Sequence, residues 1–124
     1  MRKPHLEDDL FDAIEEKDLE KIHALIKAGC DVNGNHGSSF EEGITFLMFA
    51  TATGNLETVK LLVKLGADVN AESIYGDSAL LTAALNGFPD IIEYLEPLTN
   101  PEIKVAVKRY VETGKGYPPK SKKR

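Results

Sequence analysis

Apolar residues recur at helical spacing along most of the chain, and the pattern breaks only at short polar stretches. Residues 43–70 read GITFLMFATATGNLETVKLLVKLGADVN. Leu47 and Ala50 begin one helical face, which Gly54 interrupts. Leu56, Val59, Leu62 and Val63 follow at i, i+3, i+6 and i+7, with Lys60 and Lys64 on the other side. Gly66 marks the stop, where a residue with φ > 0 is expected just past a helix end. Asp68 and Asn70 suit the turn beyond it. The same spacing predicts a helix over 6–16, with Leu6, Leu10, Ala13 and Ile14 as its inward stripe. A second, over 17–28, buries Leu19, Ile22, Leu25 and Ile26 and leaves His23 on its polar side. Residues 78–86 and 89–96 form a third pair. Pro89 stands in a first turn, where its missing N–H costs nothing, and Pro97 ends that helix. Asn100-Pro101-Glu102 opens a last helix by N-cap, N1 proline and acidic first turn. Ile103, Ala106, Val107, Tyr110 and Val111 share its apolar face, opposite Lys104, Lys108 and Arg109.

The pattern repeats itself. A shift of 37 superposes Ala13, Leu19, Glu20, Leu25, Lys27, Gly29, Asp31, Val32 and Asn33 on Ala50, Leu56, Glu57, Leu62, Lys64, Gly66, Asp68, Val69 and Asn70. A shift of 33 superposes Gly43, Leu47, Ala50, Gly54 and Leu62 on Gly76, Leu80, Ala83, Gly87 and Leu95. Two helices and a turn per roughly 33 residues is the ankyrin spacing. The chain resembles the ankyrin-repeat family over residues 6–99. The resemblance rests on Gly43-Ile44-Thr45-Phe46-Leu47, Gly54-Asn55-Leu56-Glu57, and Leu61-Leu62 through Gly66-Ala67-Asp68-Val69-Asn70. It departs from the family at the Thr-Pro-Leu-His corner, which reads Thr45-Phe46-Leu47-Met48 and Ser78-Ala79-Leu80-Leu81. Met48 and Leu81 are expected to pack as apolar side chains there. Lys17 stands where the first repeat loses the counterpart of Gly54.

The fold implied is an all-α solenoid of three helix-turn-helix repeats, near 6–40, 41–73 and 74–99, closed by a capping helix over 101–112. These make one domain over 1–113, followed by a basic flexible tail at 114–124. The tail carries five bases and no acid, so the overall −5 leaves −10 on the rest of the chain. That balance argues against nucleic-acid binding by the folded body. Glu7, Asp8, Asp9, Asp12, Glu15 and Glu16 cover the outside of the first helix. They read either as a solvated cap for an end repeat or as a docking face for a basic partner. No apolar run spans a membrane, and Met1-Arg2-Lys3-Pro4-His5 meets acids at once, unlike a secretory signal. Cys30 is the only cysteine. Together these features favour the cytoplasm. A monomer is expected.

Catalytic chemistry is hard to place. There is no P-loop, no Gly-x-Gly-x-x-Gly, no His-Glu-x-x-His and no nucleophile elbow. His5, His23 and His36 are scattered, and Cys30 with His36 supplies only two of the four ligands a structural metal site needs. The expectation is no enzyme, no cofactor and no metal. The loop 33–43 exceeds its counterpart 70–76 by four residues and is rich in Gly and Ser. It reads as a binding loop or as a tolerated insertion.

By resemblance, a protein partner binds the concave groove and the finger loops. The positions so implied are Glu15, Glu16, Ala52, Thr53, Leu85 and Asn86 on the helices. On the fingers they are Glu41, Glu42, Ile44, Ile74, Tyr75 and Asp77. The rival for Ile74 and Tyr75 is packing onto the loop that contains Phe40. A reading from another class is a tether, in which the basic tail holds anionic membrane or nucleic acid.

Overall fold

The computed structural model describes residues 6–34 and 42–114. Glu41, Phe40, His36 and the basic tail from Lys115 onward lie outside the described residues. Three helix pairs follow one another: α1 (Leu6–Glu16) with α2 (Leu19–Lys27), α3 (Phe46–Thr53) with α4 (Leu56–Lys64), and α5 (Ala79–Asn86) with α6 (Pro89–Leu95). A 3-10 turn, Glu96–Leu98, leads to a single last helix, α7 (Pro101–Thr113). Among the described residues there is no strand. The helices pack in two rows. An inner row runs α1, α3, α5, α7, and an outer row runs α2, α4, α6.

Short polar residues start these helices because their side chains reach the free N–H groups of the first turn. Thr45 Oγ1 accepts from the Met48 N–H at 3.1 Å, and Ser78 Oγ accepts from Leu81 N–H at 3.1 Å. Asp18, Asn55 and Asn100 cap α2, α4 and α7 in the same way. Each cap is worth about 1 kcal/mol. The α6 helix has Phe88 at its N-cap position, which gives no side-chain cap, and relies on Pro89 at its first turn.

The core lies between the rows and along each row. Leu10, Ala13, Ile14, Leu47, Ala50, Leu80 and Ala83 are buried on the inner helices. Ile22, Val59, Leu62, Ile91 and Leu95 are buried on the outer ones. Ile103 and Val107 attach α7. Met48 and Leu81 are buried, so apolar contact fills the corner where the family carries histidine.

Three expectations need correction. Leu19 is 36 % exposed, and Leu25 and Ile26 are half-buried; only Ile22 of α2 is fully enclosed. The reason is position: α2 ends the outer row and has one outer neighbour, α4. The α6 helix stops at Leu95, and Pro97 sits inside the 3-10 turn rather than ending the helix at Glu96. A proline has no N–H for the α ladder, and the tighter turn does without it. Val111 is 55 % exposed, while Lys104 is half-buried, so the buried stripe of α7 is narrower than the periodicity implies.

Glycine is required at Gly54 for two separate reasons. Its φ is +81°, and a Cβ there would come within 2.8 Å of the Phe88 ring. The equivalent place in the first pair is Lys17 at φ 59°, the one non-glycine residue with positive φ among those described.

Candidate functional site

The face implied for binding is built from the ends of the inner helices and the turns between repeats. Glu15 and Glu16 are exposed at the end of α1. Ala52 is exposed near the end of α3, and Thr53 is half-buried with its hydroxyl donating to the Ala50 carbonyl at 2.6 Å. Leu85 is 58 % exposed at the end of α5. Asn86 beside it is exposed, and its Nδ2 donates to the Thr82 carbonyl at 2.8 Å.

The turn before α5 is held by a knot centred on Ser73. Ser73 Oγ accepts from the Tyr75 and Asp77 N–H groups, both at 3.1 Å, and Ser73 N–H donates to the Asp77 carbonyl at 2.9 Å. Asp77 is half-buried, with Ser73 Oγ at 3.1 Å from its carboxylate, so its side chain stabilises the turn. The knot leaves Ile74 49 % and Tyr75 37 % exposed. Glu42 joins this turn to the preceding one. Its carbonyl accepts from Ile74 N–H at 2.8 Å, and its carboxylate accepts from the Tyr75 hydroxyl at 3.4 Å. Glu42 and Ile44 are themselves half-buried. The structure therefore brings Glu42, Ile74 and Tyr75 into one cluster. Glu15 and Glu16 stand apart from it on α1, the first helix of the inner row.

Two features escaped sequence reasoning. Phe11 and Phe49 stack across α1 and α3, with ring centres 4.3 Å apart and planes 20° from parallel. Two aromatics beside buried positions of successive inner helices were the available signal. On the outer row, Leu19, His23, Leu61 and Tyr94 line a shallow open groove of about 710 Å³. Lys60 lies over the Tyr94 ring at 5.7 Å, a cation–π arrangement.

Cys30 is 4 % exposed. Burial first, then the carboxylates of Glu7, Asp31 and Asp9, push its thiol up to about 11. It is a neutral thiol at physiological pH and a poor nucleophile. Among the described residues no group of three or more His, Cys, Asp or Glu could hold a metal ion. No helix of the described residues is long and apolar enough to cross a membrane.

Residues 10–107 match a family model for ankyrin repeats in three copies. The chain is 38 % identical over 92 residues to the Notch-regulated ankyrin repeat-containing protein of Xenopus laevis, covering 74 % of this chain and 81 % of that protein. It is 39 % identical over 84 residues to the Notch-regulated ankyrin repeat-containing protein A of Danio rerio, covering 68 % of this chain and 75 % of that protein. Protein phosphatase 1 regulatory subunit 27 of Mus musculus is 41 % identical over 86 residues, 68 % of this chain and 53 % of that longer protein. The period in the sequence, the paired helices in two rows and these matches agree: the chain belongs to the ankyrin-repeat family.

Proposed function

We propose that this chain is a non-catalytic interaction module that binds a protein partner across the ends of its inner helices and its finger turns. Ile74, Tyr75 and Leu85 are the apolar anchors of this reading. Glu15, Glu16, Glu41 and Glu42 supply the charge that selects a basic patch on the partner. Ala52, Thr53 and Asn86 complete the contact surface, with Ile44 and Asp77 supporting the turns.

The observation that carries the proposal is where three of the seven exposed large apolar side chains among the described residues stand: Ile74 and Tyr75 on the turn before α5, and Leu85 at the end of that same inner helix. Exposed apolar groups on a rigid scaffold commonly mark an interface. The Ser73 knot fixes the turn before binding, which lowers the entropy lost on association. The acidic balance of the body favours encounter with a basic surface. Ankyrin repeats act as protein-interaction modules as a family, and one relative is named a regulatory subunit of a phosphatase, a role carried out by binding another protein.

The test is a hydrogen-exchange footprint with a partner recovered by affinity capture. Slowed exchange at 74–77 and 85–87 is expected. Slowed exchange confined to α2, α4 and α6 would overturn the proposal.

A further inference from the structure

The two rows of helices have different lengths. The inner row reaches α7, while the outer row stops at α6. A notch of about 310 Å³ opens where a fourth outer helix would pack. Its floor is apolar: Leu80, Ala84, Ile92, Val107 and Val111. Val111 is 55 % exposed there. Its rim carries Glu96, Lys104, Lys108 and Glu112. None of these four side chains is paired with another described residue. The sequence that follows, KGYPPKSKKR, contains Gly116 and the pair Pro118-Pro119 and offers no apolar helical stripe.

We propose that this notch takes a second copy of the same chain, α7 against α7 about a two-fold axis. The charges select this occupant. Along α7 the rim reads Lys104, Lys108, Glu112, at intervals of four residues, which keeps them on one face. A second α7 laid antiparallel and centred on Lys108 sets Lys104 against Glu112 twice. A two-fold contact must be self-complementary in this way. The two Lys108 side chains come together at the axis, and Glu96 of each 3-10 turn, on the same rim, supplies the charge that offsets them. Each copy brings two lysines and two glutamates, so the joined rim is neutral. Val111 of each helix enters the other's notch. This departs from the monomer expected on sequence grounds, and it is independent of the binding face at Ile74, Tyr75 and Leu85.

Sedimentation equilibrium of the full chain, up to about 1 mM because small polar-rimmed contacts are weak, tests it. A monomer–dimer equilibrium weakened by salt is expected. Lys104→Glu alone or Glu112→Lys alone should weaken association at least tenfold, and the two together should restore it. A monomer at every concentration would overturn the proposal and leave the notch to another protein. Failure of the combined swap to restore association would overturn it equally. If a single variant loses its helical spectrum, the wild-type chain decides alone. Concentration-dependent methyl shifts at Ile92 and Val111 are then expected, and shifts absent or confined to other helices would overturn the proposal.

Discussion

The side chain of Asn33 holds a turn 33 residues further along the chain: its Nδ2 donates to the Gly66 carbonyl at 3.1 Å, and its Oδ1 accepts from Asp68 N–H at 2.8 Å. The same device recurs one repeat later, where Asn70 Oδ1 accepts from Asn100 N–H at 2.7 Å. These side chains tie each repeat to the next by satisfying backbone groups that a helix end leaves open. Asn33→Ala should cost about 1–2 kcal/mol, since two bonds of modest net worth are lost and water reaches the site. Urea unfolding measures this, and a change near zero would mean that apolar contact alone joins the repeats.

Gly54→Ala should destabilise more than Gly87→Ala. Both positions have positive φ, which costs a non-glycine residue about 1–2 kcal/mol. Only at Gly54 does the added methyl meet the Phe88 ring; at Gly87 nothing lies within 4 Å. The ordering can be read from thermal midpoints. Coupling between Gly54→Ala and Phe88→Ala in a double-mutant cycle identifies the ring as the cause.

Lys17→Gly should stabilise the chain by about 0.5–1 kcal/mol. The left-handed backbone at Lys17 is strained for a residue with a Cβ, and the gain is partly offset by the added freedom of glycine in the unfolded chain. Lys17 is exposed, so no packing is lost. Equilibrium unfolding of this one variant checks the sign.

Leu62→Ala should cost about 2–5 kcal/mol, the range for a fully buried leucine. Leu19→Ala, at a position 36 % exposed, should cost clearly less. Equal losses would contradict the placement of α2 at the open end of the outer row.

Cys30 gives a pH dependence at the alkaline end. Its thiol stands near 11 in the folded chain against a reference of 9.0. A raised pKa means the unfolded chain releases the proton first. The thiol's contribution to stability is therefore complete below about pH 9 and is lost as pH rises towards 11. Cys30→Ser should flatten that decline.

Much of this architecture was legible because repetition in sequence reports repetition in space. The shift of 37 that aligns Asn33 with Asn70 pairs the two side chains that bridge successive repeats. Glycine at 54 and 87 marks helix ends, and both adopt the left-handed backbone. Burial at the ends of the stack was harder to read. Periodicity tells which face of α2 or α7 is apolar, but not whether a neighbour covers it, so it puts Leu19 with Ile22 and Val111 with Val107 although the first of each pair is exposed. The Phe11–Phe49 stack depends on how two helices from different repeats are set against each other, which no local pattern encodes. In the candidate site, the positions of Ile74 and Tyr75 followed from the motif. Their link to Glu42 did not, because the long loop before it obscures which residues come to face the next turn.

In the proposed binding mode, Ile74, Tyr75 and Leu85 hold the protein partner. The most direct test of this mode is the Tyr75→Ala, Leu85→Ala double variant, measured for unfolding midpoint and for capture of the partner from the source cell. A midpoint lowered only slightly, by loss of the exposed Tyr75–Glu42 bond, and at least tenfold weaker capture are expected, in keeping with an aromatic anchor worth about 2 kcal/mol or more. A markedly lowered midpoint with capture intact would show instead that these side chains serve only to pack the turns, and would rule out this binding mode.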